Sequence, residues 1–159
     1  MINGRLKIGN GTLEDIFKKW GLIYISSDNR FEAPTKGFAT TSYAEEAGEH
    51  IDPRTMPNAF DYKVKFLVMA PNKNLTNANA KIAAFNRVLY DVVNQVRTYK
   101  QVTFYNDYKR VKIVGYPQPI DEAPEFWRDK KGKQHDCVQV EWTIRVNNPT
   151  LCDFSTENV

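Results

Sequence analysis

Apolar and polar residues alternate over residues 60–69, FDYKVKFLVM, where Phe60, Tyr62, Val64, Phe66 and Val68 are interleaved with Asp61, Lys63 and Lys65. A period of two turns one face of a β-strand to the core and the other to water. The alternation returns over residues 138–146, with Val138, Val140, Trp142, Ile144 and Val146 inward and Gln139, Glu141, Thr143 and Arg145 outward. Shorter strands are expected at residues 5–8 and 22–25. Between them, Thr12 as N-cap, Glu14 and Asp15 in the first turn and Gly21 as a stop predict a short helix over residues 13–20.

From residue 76 to residue 98 the period changes. Ala78, Ile82, Phe85, Leu89, Val92 and Val96 recur at helical intervals, widened by Val88 and Val93, while Lys81, Arg87, Asp91 and Arg97 point elsewhere. The stripe predicts a long amphipathic helix packed on a sheet. A hairpin follows, with strands at residues 101–105 and 110–116 around Asn106-Asp107-Tyr108-Lys109. Residues 117–136, with Pro117, Pro119, Pro124 and the charged run RDKKGK, predict an exposed loop, and residues 147–159 form a tail without period. The order predicts an α+β domain: a mostly antiparallel sheet or open barrel carrying one long amphipathic helix and a short N-terminal one. At 159 residues the chain is expected to be a single domain, residues 1–159, able to bury a core without metals or disulfides.

Residues 27–59, SDNRFEAPTKGFATTSYAEEAGEHIDPRTMPNA, interrupt this pattern. They have no hydrophobic period, and connections this long inside a domain are uncommon unless they are functional. An arm that contacts something else is the expectation.

Charge sharpens that expectation. Residues 27–59 carry three Lys or Arg against six Asp or Glu, whereas residues 60–116 carry ten against three. Complementary charge between neighbouring subunits accounts for both signs. The candidate contact residues are Tyr43, Glu45, Glu46, Glu49, His50 and Arg54 on the arm, with Arg110 and Lys112 on the basic middle. A second reading uses the basic middle alone. Tyr99, Phe104, Tyr105, Tyr108 and Tyr116 interleave with Lys100, Lys109, Arg110 and Lys112, a mixture that stacks bases and attracts phosphates. Strand aromatics are more often half core and half rim.

Catalytic chemistry finds little support. The sequence has no glycine-rich phosphate loop, no GxSxG elbow and no familiar Cys/His dyad. His50, or His135 and Cys137 with the distant Cys152, match no zinc spacing, and Glu45, Glu46 and Glu49 read as solvated charge. No cofactor is expected, and the chain reads as a non-enzyme. The two cysteines are expected to be free thiols, and the absence of a secretory pattern at the start predicts a cytosolic site of synthesis.

Taken in order, DIFKKWGLIYIS, the arm, FDYKVKFLVM, KIAAFNRVLYDVVNQV, KQVTFYNDYKRVKIVGYPQPI and VQVEWTIRV resemble the distal tail proteins of long-tailed bacteriophages and their tail-tube relatives. The resemblance spans residues 13–146. It implies a split β-barrel with a helix on its side, assembled as a homo-hexameric ring around the tail channel. It also implies neighbouring tail proteins as partners, and a location in the bacterial host cytoplasm during assembly and then in the virion tail. Distal tail proteins often carry a second C-terminal domain, and this chain is expected to be a minimal ring or tube component without one. In that setting the 27–59 arm is the element expected to mediate assembly.

Overall fold

The computed structural model describes residues 3–28, 32–37, 39–45, 47–120 and 125–154. Its main sheet is antiparallel throughout and is built from β1 (Gly4–Ile8), β2 (Glu14–Asp15), β3 (Leu22–Ser27), β6 (Phe60–Met69), β9 (Val102–Asn106), β10 (Val111–Pro117), β11 (Glu125–Arg128) and β12 (Gln134–Val146). Its strands run in the order β2-β1-β9-β10-β12-β6-β3, with β11 beside β12. Two separate ribbons, β4 (Ala39–Thr41) with β5 (His50–Asp52) and β7 (Tyr90–Val93) with β8 (Val96–Tyr99), stand apart from it.

The two strands with the clearest alternation form the spine. β6 and β12 pair along their full predicted lengths, so that Val68 faces Val138, Phe66 faces Val140, Val64 faces Trp142 and Tyr62 faces Ile144. Each of these side chains is buried on the common inner face. Onto that face packs α2 (Leu75–Val88), capped by the Asn74 side chain and burying Ala78, Ile82 and Phe85. The Trp142 ring meets Phe85 edge to face at 5.1 Å and is enclosed further by Phe66 and Phe104. This aromatic group is the centre of the core. Among the described residues the buried Trp142 Nε1–H has no hydrogen-bond acceptor.

The long helix ends ten residues earlier than its stripe predicts. After Val88 the chain turns at Leu89, which is buried, and residues 90–99 form the β7–β8 hairpin. Asn94 and Gln95 at its tip both have positive φ, 49° and 67°, the geometry of a two-residue primed turn. The valines at 92, 93 and 96 favour a strand because branching at Cβ restricts them in a helix. Val92 and Val96, which the stripe places inward, are exposed.

The N-terminal helix is also shorter than expected. α1 (Ile16–Trp20) is capped by Asp15 rather than Thr12, its carboxylate accepting from the amides of Phe17 and Lys18, while Glu14 and Asp15 pair with β1. Gly21 ends it in the left-handed conformation, as the sequence predicts. The expected loop at residues 117–136 contains β11 and the start of β12, which fold back on each other around the RDKKGK turn.

The sheet is open, and a closed barrel is not formed. Polar side chains and the tail manage its free edges instead. Asn3, just before β1, donates to the Leu22 carbonyl and accepts from the Tyr24 amide, linking the two margins of the sheet without a ladder. On the other side, β10 meets β12 only at Tyr116 and Pro117, because its earlier residues diverge. Gly115 sits at this crossing, where a methyl group would fall on the Arg145 carbonyl. The gap upstream is closed by the tail: Lys112 and Asp153 exchange both backbone hydrogen bonds, Cys152 Sγ lies 3.4 Å from the Val114 amide, and Phe154 packs on Phe60. The tail through residue 154 thus docks on its own sheet and covers an edge that would otherwise invite pairing.

Candidate assembly surface

The described residues of the arm form a two-sided ribbon rather than a structureless connection. Its base is fastened where Lys63 and Asp28 exchange hydrogen bonds and where Lys109 Nζ donates to the Ser27 carbonyl at 2.8 Å. Farther out, Lys36 donates to Met56 and Asn58 to Pro34, and Thr35 bridges Pro57. The two sides then pair as β4 and β5, with Ala39 opposite Asp52, Thr40 opposite Ile51 and Thr41 opposite His50. Such a ladder of alanine, threonine and one isoleucine has no buried face to generate a hydrophobic period.

At the end of the ribbon the Tyr43 and His50 rings meet edge to face at 5.3 Å. Tyr43 is 57% exposed, Ile51 53% and Met56 64%, so the ribbon presents aromatic and aliphatic surface to solvent. Glu45 and Glu49 are exposed beside them. Arg54 folds back on Asp52 at 2.9 Å and holds that carboxyl below its ordinary range. Glu46 lies outside the described residues.

The two basic candidates sit elsewhere. Arg110 occupies the turn between β9 and β10 with a positive φ of 55°, and Lys112 lies on β10 where the tail is bonded. Tyr43 and His50 are therefore brought together, while Arg110 and Lys112 belong to the sheet and its turn. Of the base-stacking set, Tyr105 and Lys112 are directly opposed on β9 and β10, Tyr108 and Arg110 stand in the turn that joins them, and Lys100 lies apart. Lys100 bonds to Asp91 at the β7–β8 ribbon, Tyr105 on β9 lies under the Arg5 guanidinium at 5.1 Å, and Tyr108 stands at the β9–β10 turn against Tyr24.

Sequence reasoning missed the group that sets the arm's base. Asn106 is buried, and its amide donates to Ser27 Oγ at 2.8 Å, Tyr24 Oη at 3.2 Å and Tyr62 Oη at 3.3 Å. Its carbonyl accepts from the Tyr108 and Lys109 amides. One side chain thus ties the β9–β10 turn to β3, β6 and the root of the arm. Burial of the Tyr62 phenol in this cluster raises its pKa, which keeps it neutral. An asparagine at a turn is the only trace of this in sequence. The exposed valines of the β7–β8 tip were also missed, although Asn94 among β-branched residues is a hairpin signal.

Among the described residues no three His, Cys, Asp or Glu side chains gather as a metal site, and no helix is long and apolar enough to cross a membrane. Cys137 and Cys152 are free thiols.

With this geometry in view, the comparison with solved structures finds a similar fold in a phage protein of the distal-tail class that the order of elements resembles. The structure is that of the SPP1 Dit protein (gp 19.1), described as a paradigm of the hub adsorption apparatus in phages infecting Gram-positive bacteria. The TM-score is 0.54 at 13% identity, and the match covers 92% of this chain and 50% of that one. The chain therefore spans half the length of that protein. At this identity the likeness is one of fold. No protein-family model and no curated protein matches the chain.

Proposed function

We propose that this protein is a non-enzymatic structural component of a phage or prophage tail, a ring subunit of the distal-tail or tail-tube type. The observation that carries the reading is the fold shared with the SPP1 Dit protein across 92% of this chain. The exposed ribbon at residues 39–52, rooted in the core through Asn106 and Lys109, supplies a device for reaching a neighbour. Its partners are further copies of the chain, six in a closed ring, and the adjoining tail proteins. The subunit is made in the bacterial host cytoplasm and ends in the virion tail.

Assembly through Tyr43, Glu45, Glu46, Glu49, His50 and Arg54 follows from their place on the arm, and Arg110 and Lys112 serve as candidate receivers of opposite charge. The test is removal of the ribbon. Ala39 and Asp52 are directly opposed, so residues 40–51 can be replaced by a two-residue Asn-Gly turn without moving the base. Sedimentation velocity is expected to show closed oligomers for the intact protein and a folded monomer for the shortened one. Oligomers of equal size from both proteins would remove the arm from the assembly role.

A further inference from the structure

The β7–β8 ribbon ends in three exposed valines, Val92 at 59%, Val93 at 63% and Val96 at 63%. Val93 and Val96 face each other beside the turn, and Val92 lies on the opposite face across from Arg97. One face of the tip is therefore wholly apolar, and the other sets Val92 beside Arg97. A protruding tip of this kind contributes nothing to the core and is an aggregation risk unless something covers it. Among the described residues neither this ribbon nor the β4–β5 ribbon is joined by a third strand.

Charge selects the occupant. The base of the hairpin forms a basic border: Arg87 and Lys100 flank its two strands in sequence and Arg97 lies on β8, with Asp91 bonded to Lys100 at 3.5 Å and Arg97 stacked on Tyr90 at 4.9 Å. The β4–β5 ribbon has no Lys or Arg between residues 39 and 52, carries exposed Glu45 and Glu49, and shows Ile51 with Thr40 on one face. An acidic ribbon with a β-branched face matches a hairpin with a β-branched tip and a basic border at its base. Both are exposed within one chain, so they do not cover each other in the same copy.

We infer that the valine tip of one copy seats the β4–β5 ribbon of a second copy, Val93 and Val96 packing on Thr40 and Ile51 while Glu45 and Glu49 lie toward the basic border. The contact rests on the assembly reading above and adds its receiving surface. It is head to tail: every copy offers one ribbon and receives another, the arrangement that closes into a ring when the rotation allows.

The experiment places Val93→Cys in one batch of full-length protein and Ile51→Cys in another, mixes them, and adds a short bifunctional thiol reagent. Dimer-sized adducts are expected in the mixture but not in either batch alone, nor when Leu151→Cys, a solvent-facing control, replaces Ile51→Cys. In parallel, Val93→Glu sets like charges together and is expected to weaken self-association by at least about tenfold, whereas Val93→Ile preserves it. Circular dichroism confirms that both variants fold. Undiminished oligomers in Val93→Glu together with no mixed adduct would overturn the valine-tip contact while leaving arm-mediated assembly standing. A wild-type protein that stays monomeric at millimolar concentration would overturn the assembly reading and this contact with it.

Discussion

Substituting Asn106 by alanine probes the joint between the arm and the sheet. The side chain is 1% exposed and makes five hydrogen bonds, three as donor to Ser27, Tyr24 and Tyr62 and two as acceptor from the Tyr108 and Lys109 amides. The three donor contacts share one NH2 group with two protons, so two are full bonds and the third is a weak share. Each full bond contributes about 1 kcal/mol net, and a buried partner left without one costs about 1–3 kcal/mol. Water can reach the part-buried turn amides, which limits their loss. The Tyr62 hydroxyl, on a residue only 1% exposed, is left with Ser27 as its side-chain partner. The sum is about 2–3 kcal/mol, or a fall in Tm of about 5–10 °C for a chain of this size.

Chemical denaturation of wild type, Asn106→Ala and Asn106→Asp separates the two halves of the joint. Aspartate keeps the acceptor to the turn amides and removes the donor, so it is expected to fall between the other two. Hydrogen exchange at Ser27 and Asp28 should accelerate in the alanine variant, because the root of the arm loses its anchor. An alanine variant within about 0.5 kcal/mol of wild type, with unchanged exchange at the root, would refute the reasoning.

Other outcomes follow from the same structure. Gly115→Ala forces a methyl group onto the Arg145 carbonyl and is expected to cost about 1–3 kcal/mol or to prevent soluble expression, whereas Gly37→Ala, in open space, leaves the denaturation midpoint unchanged. Cys152 and Cys137 both have thiol pKa values raised by burial, so at pH 7.5 a disulfide reagent is expected to react slowly with the native protein and with both thiols after unfolding. Fast labelling of both cysteines in the native state would contradict the docked tail. Asp129 has a depressed pKa because His135 and the Lys133 and Lys131 amides bond its carboxylate. Its contribution to the turn is present above the unfolded-state pKa and lost as pH falls through the lower folded-state value. Amide shifts of Lys131 and Lys133 should therefore titrate below the ordinary carboxylate range, and a midpoint at or above that range would contradict the bonded geometry.

The elements legible in sequence are those whose burial is one-sided and long. β6 and β12 announce themselves because alternate residues from Phe60 to Val68 and from Val138 to Val146 meet one core. Ala78, Ile82 and Phe85 mark α2 for the same reason, but the spacing runs on by coincidence through Val92 and Val96, where a primed turn at Asn94 and Gln95 takes over. The β4–β5 ribbon was invisible because exposed strands such as ATT and HID bury nothing that would impose a period. The joint at Asn106 and the tail pairing at Lys112 and Asp153 link residues distant in sequence through polar atoms, and no local pattern encodes such partners. Among the interface candidates, the pairing of Tyr43 with His50 follows from the ribbon's register, which becomes readable only once the ribbon is known.

The central claim is that this chain is a ring subunit that assembles through its arm. Electron microscopy of the purified full-length protein, beside the version with residues 40–51 replaced by Asn-Gly, tests it most directly. The expected images are closed rings of six subunits from the intact chain and isolated particles from the shortened one. Dispersed single particles from the intact chain at every concentration, or identical rings from both, would contradict it.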